Sequence, residues 1–286
     1  MKIAYLIMAH KEFELLSKTI KCLQHPDIDV IIHFDLKAVV DINVLTLEFK
    51  DNPNVYYLEN RINLNWGGSS ILNAQINLLN AAVNLQKYDY VSFISGQDFS
   101  IKSNISKIRF FEDNKGQEFL EFYQLPSFDN WDGNGGCDRF EYFWLIDQIG
   151  YSESYKFYKK QIKEGVKRKL PNGLVPYGGS NWISITISCA RYILSYIENH
   201  PEIIDFFSYV AHPEEIFFHT LILNSNFKGR AINNNLRYID WKSDGPKPKV
   251  LKIEDLEYLK NTDAHFARKL ELHSDRALIR ELQKLN

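Results

Sequence analysis

Four short apolar runs, each ending in a polar segment, fill the first third of the chain and leave few folds open to it. They are Lys2–Ala9, Asp29–Asp35 (DVIIHFD), Asn54–Leu58 (NVYYL) and Tyr90–Ile94 (YVSFI). Their length and their β-branched and aromatic content read as strands. Between them, Phe13, Leu16, Ile20 and Leu23 recur at helical spacing. So do Leu72, Ile76, Leu79 and Val83, with a helix cap expected near Ser69 or Ser70. Strands that alternate with helices build a mostly parallel sheet with helices on its faces. The expected fold is therefore α/β. Ligands of such sheets bind beyond the carboxyl ends of the strands. Here those ends read MAHK, HFDLK and SGQDFSIKS. All three are polar and two carry an aspartate, so a nucleotide is expected there.

The 286 residues suit one large α/β domain or two closely joined halves. We read a single domain over residues 1–286. About residues 1–110 make a nucleotide-binding half, and about 111–286 an acceptor and catalytic half. With 34 basic against 36 acidic residues, the chain lacks the basic excess that nucleic-acid binding needs. Cys22, Cys137 and Cys189 are far apart and in no metal-ligand spacing, which reads as reduced thiols. The start, MKIAYLIMAHKE, has too short an apolar run for a signal peptide and no cleavage site. No stretch of about 18 apolar residues predicts a membrane span. A cytoplasmic protein is expected, with the inner face of the membrane as a second location. Aromatic residues make up 14% of the chain. Most will be core, and the surplus suits a protein that offers flat rings to a sugar.

The middle of the chain, from about Phe119 to Pro176, differs in texture. FDNWDGNGGCDRFEYFW is followed by a basic helix around KFYKKQIKEGVKRKL, which reads as a solvated face. DGNGGCD lacks the strand-to-helix context of a phosphate loop and reads as a flexible loop, a lid or acceptor-side element. An amphipathic helix over Ala190–Asn199 precedes HPEEIFFHTLILNS. There Pro213 suits a first helical position, and Glu214 and Glu215 complement a helix dipole in the first turn.

Seven strings in order resemble the core-2/I-branching glycosyltransferases, the group that also holds the peptide O-xylosyltransferases. They are AYLIMAHK, IIHFDLK, DYVSFISGQDFSIKS, YGGSNWISIT, HPEEIFFHTLILNS, LRYIDW and EDLEYLKNTDAHFARKL. The resemblance covers most of the chain. It implies a GT-A-like fold and inverting transfer of a sugar from a UDP donor to a hydroxyl of a glycan acceptor. It also implies no bound metal and no other cofactor. The membrane anchor and stem of animal members are not expected, so the chain resembles a bacterial, cytosolic relative. Loose association with a membrane-linked glycan acceptor is compatible with that.

The resemblance also implies roles. Its Pro-Asp-Glu motif places the general base at Glu215, with Glu214 as a supporting residue on the acceptor side. Inversion in one step needs such a base to take the proton of the attacking hydroxyl. The departing diphosphate needs positive charge. Asp27-Ile28-Asp29 has the Asp-x-Asp pattern of a metal site but precedes its strand, and Ser95-Gly96-Gln97-Asp98 offers one carboxylate only. Lys269 falls on the family's basic position, with Arg268 beside it and a second basic group at Lys247 or Lys249. Asp35 matches an aspartate that contacts the uracil or ribose side, or it forms a turn. His10, with Lys11, would flank the nucleotide base of the donor, or His10 is a satisfied loop histidine. Trp66 and Gly67 open the way to a ligand or to a helix. Gly178, Gly179 and Ser180 resemble a Gly-Ser beside the acceptor pocket. Trp241 matches an aromatic of the acceptor wall, Arg139 is an acceptor contact, and Trp182 either stacks on a sugar or belongs to the core.

N-acetylglucosamine is the expected donor sugar, with UDP-xylose as the alternative. A non-catalytic sugar or nucleotide-sugar binding protein would keep the aromatic wall and lose the base. A phosphotransferase or dehydrogenase is disfavoured, since neither GxGxxG nor GxxxxGK[ST] occurs.

Overall fold

The computed structural model describes residues 1–38, 42–241 and 247–286. The strands are β1 (Ile3–Ala9), β2 (Ile28–Phe34), β3 (Val55–Tyr57), β4 (Tyr90–Ser95), β5 (Phe99–Ser100), β6 (Glu118–Gln124), β7 (Tyr177–Thr186), β8 (Ala231–Asn233), β9 (Arg237–Ile239) and β10 (Phe266–Arg268). One sheet has the order β3-β2-β1-β4-β7-β6-β8, and a smaller one the order β5-β10-β9. β3, β2, β1 and β4 run parallel. β7 is antiparallel to both its neighbours, which makes β6 and β8 parallel to the first four. The fold is α/β with a mostly parallel central sheet, as the alternation of strands and helices predicts. The sheet runs unbroken through both expected halves.

All seven residues of β1 are buried because both faces of the sheet are covered. Side chains alternate between faces. Ala4, Leu6 and Met8 pack with Leu72, Leu78 and Leu79 of the helix Ser69–Asn84. Ile3, Tyr5 and Ile7 pack with Leu16 and Ile20 of the helix Phe13–Cys22. That sandwich aims the carboxyl ends of β1, β2 and β4 at one edge. β10 returns from the C-terminal segment to pair with β5 directly beyond β4, which brings Arg268 and Lys269 to the same edge. Among the described residues, no helix is long and apolar enough to cross a membrane.

The cap of the helix Ser69–Asn84 is not Ser69 or Ser70. The N-cap is Gly68, which has no side chain to offer. Asp147, 77 residues on from Ser70, takes over. Its carboxylate accepts from Ser70 N–H (3.0 Å), Ser70 Oγ (2.7 Å), Ser69 Oγ (2.9 Å) and Asn65 Nδ2 (2.8 Å). Glycine is required at 68, because a Cβ there would lie 2.5 Å from Asp147 Oδ1. Burial pushes the Asp147 pKa up, but the hydrogen bonds from Ser70, Asn65 and Ser69 outweigh it and hold the carboxyl below its ordinary 3.8. Asp147→Ala is expected to lose about 1–2 kcal/mol at neutral pH, measured by urea unfolding. A depressed folded pKa stabilises above the unfolded value. The difference from wild type should therefore shrink as pH falls from 3.8 through the folded pKa.

Candidate active site

Pro213–Glu215 is a single 3-10 turn, entered through His212 in the left-handed region (φ 49) and left through Ile216 (φ −125). The α-helix begins only at Phe217 and ends at Leu223. The two glutamates are thus not in the first turn of an α-helix. The dipole expected to hold them ionised is replaced by a specific cation. Arg139 Nη1 donates to Glu215 Oε2. The Arg139 guanidinium lies 3.8 Å from the centroid of the Trp131 ring. Trp131 in turn fills space that two glycines leave. A Cβ at Gly178 would be 2.4 Å from Trp131 Cη2, and one at Gly136 would overlap Trp131 Cε3. The glycines of DGNGGCD and YGGSNW therefore seat an indole, which seats an arginine, which holds the glutamate. Trp131 escaped the sequence reading. Its signal is a tryptophan flanked by glycines in two separate strings.

The paired glutamates face different surroundings. Glu214 is buried, its Oε1 3.8 Å from His212 Nδ1, and its Oε2 has no hydrogen-bond partner among the described residues. Glu215 keeps 29% of its side chain open. Its packed surroundings push its pKa up, Arg139 pulls it down and Glu214 pushes it up, with a net rise above 4.5. His212, Glu214 and Glu215 bring ligand-capable atoms within 4.8 Å of one another. Arg139 already supplies a positive partner there.

Trp66 and Gly67 close one side of this turn. Gly67 carbonyl accepts from His212 N–H (2.8 Å), and a Cβ at Gly67 would be 3.1 Å from the His212 ring. The Trp66 ring meets His212 edge-on at 4.6 Å and is 69% exposed. On the other side, β6 bulges between Leu120 and Phe122, and Gly179 of β7 passes beside it. A Cβ at Gly179 would collide with the Glu121 carbonyl and reach 2.8 Å from His219 Nε2. Glu121 and His219 were not singled out from the sequence either. Glu121 accepts from Asn235 Nδ2 (2.8 Å), and its pKa rises, first by burial and then by the Glu215 charge. Ser180 Oγ accepts from Trp182 N–H (3.4 Å).

Basic groups gather at the ends of β1 and β10. Glu271 Oε1 lies 3.5 Å from Lys11 Nζ and 3.4 Å from Lys269 Nζ. His10 marks where the charges converge. Its pKa is lowered first by burial and then by Lys11, Lys269 and Arg268, with Asp35 opposing. Arg268 is tied down. Its Nη1 donates to Ser95 Oγ (3.3 Å) and Asp98 Oδ2 (3.4 Å), and its guanidinium lies 4.4 Å over the Trp182 ring. Trp182 is itself 8% exposed, so Arg268 covers the ring expected at the acceptor wall. Lys249 Nζ is 2.7 Å from Asp255 Oδ1, whereas Lys247 is exposed. Lys269 N–H donates to the Lys249 carbonyl (3.4 Å), which runs that segment alongside β10. Trp241 is exposed just past β9.

Asp35 is buried at the end of β2 and does the turn-forming job. Its Oδ1 accepts from Lys37 N–H (2.9 Å) and Leu64 N–H (3.2 Å). Oδ2 makes no hydrogen bond among the described residues.

A mostly parallel sheet with basic and acidic groups gathered beyond its carboxyl ends defines an α/β protein with a candidate ligand site on that edge. More particularly, the model of the Core-2/I-Branching enzyme matches residues 3–261, and the chain belongs to that glycosyltransferase family. Xylosyltransferase from Ciona intestinalis is 23% identical over 243 residues, covering 84% of this chain and 27% of that protein. Xylosyltransferase 2 from Mus musculus is 24% identical over 245 residues, with 84% and 26% covered. Xylosyltransferase oxt from Drosophila melanogaster is 24% identical over 311 residues, with 99% and 33% covered. The chain thus spans about a quarter to a third of the length of these relatives.

Proposed function

We propose that the chain moves a sugar from a UDP-sugar to a hydroxyl of a glycan acceptor with inversion, using Glu215 as the base. Glu215 carries this reading. It is the partly open carboxylate of HPEE, oriented by an arginine that is itself stacked on Trp131. In the transfer, the acceptor oxygen attacks the anomeric carbon, the bond to the diphosphate breaks and Glu215 takes the hydroxyl proton. Negative charge then grows on the diphosphate, and Lys11 and Lys269 meet it without a metal. Glu271 now bridges those two lysines, so an arriving diphosphate competes with a carboxylate for them. Lys247 is the second candidate contact. Arg268 supports Lys269 from within. N-acetylglucosamine is the first donor reading, and the named xylosyltransferase relatives favour xylose as the second.

Titration calorimetry with UDP, UDP-N-acetylglucosamine, UDP-xylose and GDP-mannose tests this, first in EDTA and then with Mn²⁺. A uridine nucleotide should bind in EDTA, and Lys269→Ala should weaken it by roughly tenfold, the value of one charged contact. Binding only with Mn²⁺ would sink the role given to the lysines. No uridine nucleotide binding would sink the whole reading.

A further inference from the structure

We infer that an aromatic and basic track leads away from the Glu215 turn along the helix Ile146–Glu164 and binds an extended acidic glycan as the acceptor's remote part. This rests on the transferase reading for its direction and names the acceptor class. Gly150 (φ 79, ψ 163) breaks the helix, so its regular part starts at Tyr151. Tyr151 and Tyr155 are four residues apart, ~6 Å along the axis, and lie on one face. They are 40% and 43% exposed. The Tyr151 ring is 5.2 Å from Trp66, which is 4.6 Å from His212 of the Glu215 turn. Below them, buried Trp144 stacks on Tyr158 at 4.8 Å and touches Tyr151 (6.0 Å) and Tyr155 (6.3 Å). The exposed rings therefore stand on a fixed floor.

The chemistry selects the occupant. Rigid rings with a polar tip offer contact area at little entropic cost, and the C–H faces of sugars pack flat on them. A lysine row runs beside the rings. Lys156 and Lys160 pair with Glu153 and Glu164. Lys159 and Lys163 make no ion pair among the described residues, and Lys159 Nζ is 5.1 Å from the Tyr155 ring. Their charge is free for carboxylates or sulfates on the glycan. A membrane surface would also attract the lysines. Continuity of rings from the Glu215 turn favours the glycan, because the acceptor must reach that turn.

The test uses the whole chain and stated probes. Hyaluronan deca- and tetrasaccharides serve as acidic probes and chitopentaose as a neutral one. The decasaccharide should bind more tightly than the other two by intrinsic fluorescence. Tyr151→Ala/Tyr155→Ala and Lys159→Ala/Lys163→Ala should each weaken it by roughly tenfold, the lysine effect vanishing at high salt. UDP affinity and thermal midpoint serve as controls on folding. Variants binding like wild type, or equal binding of acidic and neutral probes, would overturn the track. So would capture by phosphatidylglycerol vesicles without oligosaccharide binding, which would make this face a membrane surface. Failure of UDP to bind while the decasaccharide does would overturn the transferase reading and leave the track standing.

Discussion

Glu215→Gln is expected to lower turnover by about 10²–10⁴-fold while leaving UDP affinity near that of wild type. The amide keeps the shape and one acceptor oxygen, so Arg139 and Trp131 stay in place and only the proton acceptor is lost. A non-catalytic binding protein would have no turnover to lose. The pH profile adds a second readout. The base acts when ionised, so turnover should rise with pH through the Glu215 pKa. Burial and Glu214 set that pKa above 4.5 while Arg139 restrains it. Arg139→Ala should therefore move the acid limb to higher pH. Trp131→Ala should produce a smaller shift in the same direction, by loosening the arginine. A defect in folding alone would lower the amplitude without moving the limb. Turnover by Glu215→Gln at the wild-type rate would pass the base role to another carboxylate, with Glu121 across the bulge next to be tested.

The unbroken apolar run of β1 showed a buried strand, whereas β2 and β4 are buried with polar residues inside them, Asp29 and His33 in one and Ser92 in the other. The sequence missed what distant residues decide. Nothing local in YGGSNWISIT says that it forms a ten-residue strand running antiparallel to both its neighbours. β5, β9 and β10 are two or three residues long, too short for any periodicity to show. The cap at Asp147 lies far from the helix it serves, so propensity placed it on Ser69 or Ser70. The HPEE turn was legible as chemistry and misread as geometry. Proline and two acids suit an α-helical first turn, but a left-handed His212 and a broken Ile216 confine them to a 3-10 turn. Its counter-charge comes from Arg139, 76 residues away, through a ring that only glycine spacing betrays.

Asp98→Ala should cost about 3–5 kcal/mol of stability by urea unfolding, the usual consequence of removing one partner from a buried ion pair. Asp98 is fully buried, and its Oδ2 accepts from Ser95 N–H and Ser95 Oγ at 2.5 Å and from Arg268 at 3.4 Å. Arg237 is buried too and donates to Ser92 Oγ (2.8 Å) and the Phe93 carbonyl (2.9 Å); burial lowers its pKa, and Asp98 is the main charge that opposes the shift. Without the carboxylate, buried Arg237 and half-buried Arg268 repel each other uncompensated. Asp98→Asn should fare only slightly better, because it restores the shape and not the charge. Asp51→Ala, on an exposed turn, should stay within about 0.5 kcal/mol. The loss should also reach the ligand. Asp98 anchors Arg268 of β10, and Lys269 follows directly, so a loosened β10 displaces the lysine proposed to meet the diphosphate. UDP binding should then weaken in Asp98→Ala in EDTA. If instead Asp98→Ala is as stable as wild type and loses only a Mn²⁺-dependent part of UDP binding, the carboxylate beyond β4 serves a metal, and the arginine beside it is a neighbour rather than its partner.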